Sequence, residues 1–290
     1  MIQLDRNPYN PINFCHIAPT ARLADATDTN GAHLLLAHLI ETDPEYTAYY
    51  ANLNDGKVKI MDNSAFEMFK QGREMYPSDK LIEMGNRVKA DVVVMSDYPK
   101  RPWEITRDKA IEMIPQLKDA GFGTFYVPQS NLGDIGGLLN SFEWALSNPD
   151  IDLIGVSILA CPVAFSLDES HNGARNDAYK LQRFMSRWKL FRLLNDNALL
   201  FDSRSHKRFH CLGMTDGPNE IELLNYSGYR PYIFSWDSSA AVWAGLNNIT
   251  FDRSPTGLIG GKFEREVDFD YKGPYTDATS FNIDYINSLL

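Results

Sequence analysis

A chain of 290 residues with 44% hydrophobic side chains can bury a sizeable core and falls in the size range of a single α/β barrel. Its formal net charge of −10 argues against a generally basic nucleic-acid coat, and it has no apolar run of eighteen residues that would span a membrane. Cys15, Cys161 and Cys211 are far apart and form no CxxC pair, against both a disulfide framework and a cysteine-built zinc site. The amino end lacks the basic-then-apolar order of a signal peptide, so a cytoplasmic protein is expected.

Taken in chain order, short β-branched and aromatic runs bounded by turn residues predict strands over 12–18, 34–40, 57–62, 91–97, 123–129, 151–157, 208–213 and 232–237. Between most of them lie helical patterns. One covers 44–53 with Asp43 as its cap, and 77–90 places Leu81, Met84 and Val88 on one face. The next, 103–120, carries Ile105, Ala110, Ile111, Ile114 and Leu117 and ends at Gly121. Further helices are predicted over 134–147, 179–194, 218–226 and 238–247, the last opened by Ser238 or Ser239. Alternation of this kind implies parallel strands joined by right-handed crossovers. Eight units imply one (β/α)8 TIM barrel over 1–290, with a doubly wound open sheet as the alternative. Two regions stand outside the alternation: an insertion at 161–207 between the sixth and seventh strands, and a tail at 249–290 expected to pack outside the barrel or close one end.

Barrel chemistry sits at the carboxyl ends of the strands. Asp62, Asp97, Gln129 and Asp237 end the third, fourth, fifth and eighth predicted strands, and Gly155-Val156-Ser157 ends the sixth. One strand-ending Asp is commonly a cap or turn former. Three of them, in Ile-Met-Asp, Met-Ser-Asp and Ser-Trp-Asp contexts, point instead to one acidic rim. Asp237 is the sharpest case, because it follows the buried run Tyr232-Ile-Phe-Ser-Trp and packing gives no reason for a carboxylate there.

These residues carry a resemblance. Met61-Asp-Asn-Ser-Ala-Phe-Glu67 resembles the Asp-Ser-Gly-Gly-Phe motif of the tRNA-guanine transglycosylase superfamily, and Val93-Val-Met-Ser-Asp-Tyr-Pro99 resembles its apolar run into Asp-Glu-Cys-Thr-Pro. Val127-Pro-Gln-Ser130 is similar to its Val-Gln-Gly segment, and Leu153-Ile-Gly-Val-Ser157 to its Ile-Gly-Gly-Leu-Ala strand. His210-Cys-Leu-Gly-Met-Thr-Asp216 resembles Tyr-Leu-Met-Gly-Val-Gly, and Phe234-Ser-Trp-Asp-Ser238 stands where the family has its Phe-Asp-Cys nucleophile segment. The six motifs keep the family's order across 57–245, and the family is a (β/α)8 barrel.

The resemblance implies exchange of a guanine base in a polynucleotide for a 7-deazaguanine of the preQ0 type, without backbone cleavage. Asp237 would be the nucleophile at the sugar C1′, giving a covalent glycosyl-Asp intermediate. Asp62 would be the general acid and base. Asp97 and Gln129 would read the guanine edge, and the main chain at Gly155, Val156, Ser157 and Gly213 would contact the O6 and 7-substituent side. Phe66 and Leu212 would sandwich the ring, although core packing explains them equally well.

The departures from the family pattern are informative. Ser64-Ala65 replaces Gly-Gly after the acid/base motif, which reduces backbone freedom. Val156 replaces a glycine, and is expected to narrow the pocket or alter which 7-substituent fits. The tail at 249–290 holds no Cys and no His, so the zinc site of tRNA-acting members is missing. The chain therefore looks more like the phage and bacterial branch that modifies DNA. DNA is the first expected polynucleotide and tRNA the second, with the free 7-deazaguanine as co-substrate. No metal or other cofactor and no membrane is expected, and a homodimer fits the reading.

Between 180 and 208 stand eight basic residues, Lys180, Arg183, Arg187, Lys189, Arg192, Arg204, Lys207 and Arg208, against two acids. Helical spacing turns Leu181, Phe184, Trp188 and Phe191 to the core and Lys180, Arg183 and Arg187 outward, as a phosphate-contacting stripe or a merely solvated face. Arg204, Lys207 and Arg208 extend the expected patch. His171, His206 and His210 are too scattered for a metal site and read as structural. Three alternatives remain: a zinc-free tRNA transglycosylase, a non-catalytic barrel that binds nucleic acid or partners an active subunit, and a different barrel enzyme such as a lyase, for which no lysine or metal cluster stands at the strand ends.

Overall fold

The computed structural model describes residues 11–167, 177–200, 207–214, 218–251 and 268–290. Eight strands lie among them: β1 (Asn13–His16), β2 (His33–Leu36), β3 (Lys59–Asp62), β4 (Val92–Val94), β5 (Gly123–Tyr126), β6 (Leu153–Ser157), β7 (Phe209–Leu212) and β8 (Ile233–Ser238). Their order is β1-β8-β7-β6-β5-β4-β3-β2, with every ladder parallel. The helices between them are α1 (Leu23–Thr27), α2 (Ala37–Thr42), α3 (Pro44–Asn52), α4 (Ala65–Gln71), α5 (Ser78–Val88), α6 (Trp103–Asp119) and α7 (Ile135–Ser147). Then follow α8 (Ala160–Ala164), α9 (Asp177–Phe184), α10 (Ser186–Asp196), α11 (Pro218–Tyr226), α12 (Ala240–Leu246) and α13 (Asp277–Asn287). This is the (β/α)8 barrel that the alternation predicts.

Seven ladders leave one seam, between β1 and β2. It is closed by the Gly31 N–H donating to Phe14 O at 2.9 Å and the His16 N–H donating to the Asn30 side-chain oxygen at 2.7 Å. A Cβ on Gly31 would lie 2.8 Å from Asn13 Cα, so the two segments meet only because residue 31 has no side chain.

Local chemistry accounts for most helix limits. Asp43 caps α3 by accepting from the Glu45 and Tyr46 N–H groups, with Pro44 at the first helical position. Asp134 caps α7 by accepting from Gly137, and Gly121, at φ +90°, follows α6. Lys59 points out of the barrel, and its ammonium donates to Tyr50 O at 2.7 Å and Leu53 O at 2.6 Å, satisfying carbonyls at the carboxyl end of α3.

Five predicted elements differ. The strands expected over 91–97 and 123–129 stop at Val94 and Tyr126, so Asp97 and Gln129 lie in the segments that follow and not on the strands themselves. The strand expected over 34–40 stops at Leu36, and α2 follows. The backbone N–H groups of Leu36 and His38 go to the Tyr46 hydroxyl and the Ser64 hydroxyl instead of a ladder. The single helix expected over 179–194 breaks at Met185 into α9 and α10, where the Ser186 hydroxyl donates to Arg183 O at 2.7 Å. That break leaves Leu181 54% exposed, not core-facing, whereas Leu190, Phe191 and Leu194 are buried. The last predicted helix starts at Ala240, because β8 runs on to Ser238, whose hydroxyl accepts from the Ala240 N–H.

In the tail, α13 packs on the outside against α12. A Cβ on Gly245 would fall 2.2 Å from Thr279 Cα, so glycine permits the close crossing, and the Asn282 amide donates to Ile249 O at 2.8 Å. The three cysteines are free and buried. Among the described residues no helix is long and apolar enough to cross a membrane.

The seam gives a stability test. Gly31→Ala should lower the unfolding free energy by about 1–3 kcal/mol through forced backbone displacement, read from the urea midpoint. An unchanged midpoint would mean that the seam relaxes at no cost.

Candidate active site

A cavity of about 260 Å³ opens at the carboxyl rim of the barrel. Asp62, Asn63, Phe66 and Glu67 line it from the end of β3 and the start of α4; Asp97 and Gln129 come from the segments after β4 and β5. Ser157, Leu212 and Gly213 complete the far side, and Arg183 reaches it from α9. Phe66 is 48% exposed, so its ring is a wall of the opening and not a core filler.

Asp97 is buried and held by two side-chain amides. Asn63 donates to one oxygen at 2.7 Å and Gln129 to the other at 2.5 Å. Asn63 is itself fixed, donating to Met95 O at 2.6 Å and accepting from the Ala65 N–H at 2.8 Å. Burial pushes the Asp97 carboxyl up to about 6, with the two amides pulling the other way.

Asp62 accepts from the Ser64 N–H at 2.8 Å. Burial, and then the charges of Glu67, Asp237 and Asp97, hold its carboxyl well above the usual carboxylate range. Glu67 is raised as well, by burial first and by Asp237. Ser64 sits at φ 56°, ψ 35°, a left-handed conformation that glycine adopts without cost, so the loop has a glycine-type shape at a serine. His38 packs behind it. The Ser64 hydroxyl accepts from the His38 backbone N–H and is also hydrogen-bonded to His38 Nδ1 at 2.9 Å. Burial, helped by Arg73, lowers the His38 imidazole to about 4 and leaves it neutral.

Asp237 is 5% exposed. It stands just behind the cavity wall, joined to it by the Gly213 N–H, which donates to Oδ1 at 3.2 Å. His210 Nε2 reaches the same oxygen at 2.9 Å, and His210 Nδ1 meets the Ser235 hydroxyl at 2.6 Å. Both ring nitrogens of His210 thus have a hydrogen-bond partner, which fixes the orientation of the ring. Among the described residues, both hydrogen bonds to the Asp237 side chain fall on Oδ1.

The expected site residues thus divide. Asp62, Asp97, Gln129, Ser157, Phe66, Leu212 and Gly213 share the cavity, with Asp237 directly behind. Val156 does not line it. In the alternation of β6 it pairs with Cys211 and faces the helices, so it cannot narrow the pocket. Gly155 pairs with His210 one layer deeper, where a Cβ would lie 2.9 Å from Leu212, Phe125 and Val127 side chains; it admits packing and lines nothing.

The basic patch is corrected more heavily. Arg187 is fully buried and ion-paired with Glu220 at 3.2 Å, so it is not on an outer stripe. The break before Ser186 rotates α10 and turns it inward. Lys207 and Arg208 precede β7 at the opposite end of the barrel, where Lys207 donates to Ala145 O and Asn148 O and Arg208 to Ile233 O. Lys180 is exposed and Arg183 borders the cavity, while Arg204, His171 and His206 lie outside the described residues.

Sequence reasoning missed His210, Asn63, Glu67 and His38. His210 stands two residues before Leu212 and so on the same face of β7, which was the available signal. Asn63 and Glu67 sit inside a motif already singled out, whereas nothing local marks His38.

No family model matches this chain, and no curated protein matches it. A solved structure from Coccidioides immitis, provisionally assigned as a fructose-1,6-biphosphate aldolase, is similar at 9% identity over 96% of this chain and 88% of that chain. Its TM-score is 0.45, a likeness that carries no functional argument.

The raised Asp97 carboxyl has a measurable consequence. Folding favours its neutral form, so its stabilising contribution is complete below the unfolded value of 3.8 and is lost as pH rises through about 6. Between pH 4 and 7 the wild-type protein should lose on the order of 3 kcal/mol relative to Asp97→Asn, whose mismatch with the two amides is independent of pH. Parallel denaturation curves for the two proteins over that range would refute the raised value.

Proposed function

We propose that this protein is a transglycosylase that exchanges guanine in a polynucleotide, DNA first, for a free 7-deazaguanine. The observation that carries the reading is the cavity itself: an acid of raised affinity for protons, Asp62, and a carboxyl group held by side-chain amides, Asp97 with Gln129 as one of its donors, line one opening walled by Phe66 and Leu212. Asp237 lies one hydrogen bond behind that lining.

Each group then has a task. In the first step a lone pair on Asp237 Oδ2 forms a bond to C1′ as the bond from C1′ to the base nitrogen breaks, and the departing guanine takes the proton of Asp62. In the second step the Asp62 carboxylate removes the proton of the incoming base, whose nitrogen attacks C1′ and releases Asp237. Carboxylates suit this chemistry because the transition state is oxocarbenium-like and positively charged. Ionised Asp97 accepts from the ring N–H and the amino group of guanine, so base binding stabilises its charged form and favours pH above about 6. The base must leave its stack to enter, and the exposed Phe66 ring offers it a new stacking surface.

DNA is preferred to tRNA because residues 249–290, with no Cys and no His, do not resemble the zinc-binding segment of the tRNA-acting members of the superfamily that the motifs resemble. The rim supports an approaching backbone less than the sequence suggested, with Arg183 as the cation of the expected patch that borders the cavity.

A labelled 7-deazaguanine incubated with duplex DNA, single-stranded DNA and tRNA tests the reading directly. Incorporation is expected into DNA; label in tRNA alone would reverse the substrate choice, and label in none would leave a non-catalytic binding subunit. Asp237→Asn should reduce exchange at least about 10³-fold while the thermal transition persists. Substantial residual exchange would remove Asp237 from the nucleophilic role.

A further inference from the structure

Arg187 is a completely buried cation that the proposed reaction does not use. It sits at the start of α10, with its Nε 3.2 Å from a Glu220 oxygen of α11 and its guanidinium 5.1 Å from the centre of the Trp236 ring. Charge neutralisation and a π-face account for two sides of the group. They do not account for its remaining contacts: Nη2 donates to Leu212 O at 3.0 Å and to Gly213 O at 2.6 Å.

We infer that Arg187 is a positioning residue for Asp237, gripping the Leu212–Gly213 peptide so that its N–H stays directed at the carboxylate. Leu212 C=O and Gly213 N–H are the two ends of one planar trans peptide and point in opposite directions. A grip on the oxygen therefore sets the direction of the N–H, and that N–H is the one 3.2 Å from Asp237 Oδ1. A cation on the carbonyl also polarises the peptide and strengthens its donor end.

The neighbouring geometry makes the grip specific. Gly213 is at φ +69°, and a Cβ there would lie 2.8 Å from Ile158 Cδ1; this left-handed turn presents two consecutive carbonyls to the same nitrogen. Trp236 Nε1 adds a second donor to Gly213 O at 2.8 Å. A planar fork can hold the ion pair and both carbonyls together, whereas a lysine ammonium on a flexible stem cannot keep that arrangement. The insertion after β6 thereby supplies a support for the site in place of the phosphate contact its charge suggested.

The catalytic consequence rests on the transglycosylase reading, but the grip itself does not, and the experiment separates them. The sequence contains two Leu-Gly pairs, at 132–133 and 212–213, so labelling Leu with ¹³C at the carbonyl and Gly with ¹⁵N isolates two amide signals. Asp237→Asn should shift the Gly213 amide upfield by weakening its acceptor. Arg187→Lys should shift it too and speed its hydrogen exchange about tenfold or more, while the Gly133 signal stays in place. If Arg187→Lys fails to fold, the paired variant Arg187→Met with Glu220→Met removes the grip without stranding a charge, and the same shift is expected. In base exchange, Arg187→Lys should lower kcat about tenfold or more, a larger effect than any on KM for the free base, whose cavity wall includes Leu212 and Gly213. A Gly213 amide indifferent to either variant overturns the inference, as does a loss confined to KM. Absence of exchange in the wild-type protein would overturn the transglycosylase reading, and the amide signal would still decide the grip.

Discussion

Parallel registration is the constraint on which the rest depends. Because all eight strands run the same way, their carboxyl ends meet at one rim, and the register sets who stands beside whom. Cys15 pairs with Asp237, Leu36 with Asp62, Ser157 with Leu212 and His210 with Ser235. The same arrangement gathers Asp62, Glu67, Asp97 and Asp237 where water is scarce. Burial is the leading cause of the raised carboxyls of Asp62, Glu67 and Asp97, and mutual repulsion adds to it for the first two. The Cys15 thiol is pushed up by the same burial and by the charge of Asp237, so it stays protonated beside the carboxylate.

The rim holds its carboxylates with dipoles more than with cations. Asp97 takes two side-chain amides, Asp62 a backbone N–H, and Asp237 an imidazole and a backbone N–H. Such donors fix an orientation without a permanent cation, and proton affinity stays high at Asp62, while among the described residues both bonds to Asp237 fall on one oxygen. A direct Arg partner would lower these pKa values and remove the proton that general acid catalysis requires. Placing the Arg187 guanidinium behind a peptide, and not against the carboxylate, keeps its structural rigidity and transmits only a dipole.

Charge counted along the sequence proved a poor guide to charge on the surface. The eight basic residues between 180 and 208 include one buried in an ion pair and two at the far end of the barrel. A single break in a helix rotated the stripe, and a strand then carried the next residues across the molecule. The aromatic and apolar walls of the cavity were easier to foresee, because their positions follow from strand ends and not from the direction a long helix faces.

Strand count, barrel class, the Asp43 and Asp134 ends of helices and the rim position of Asp62, Asp97, Gln129 and Asp237 were all legible in the sequence. Each follows from local periodicity or capping chemistry, which acts over a few residues. The partners of those carboxylates were decided only by the tertiary structure. Asn63 meets Asp97, His210 meets Asp237 and Arg187 meets the Leu212–Gly213 peptide across separations of 34, 27 and about 25 residues. No local pattern encodes such contacts, because they arise where separate strands and helices close on one rim. The outward turn of Val156 and the inward turn of Arg187 belong to the same class: sequence supplied the residue, and the packing of neighbouring elements chose the side.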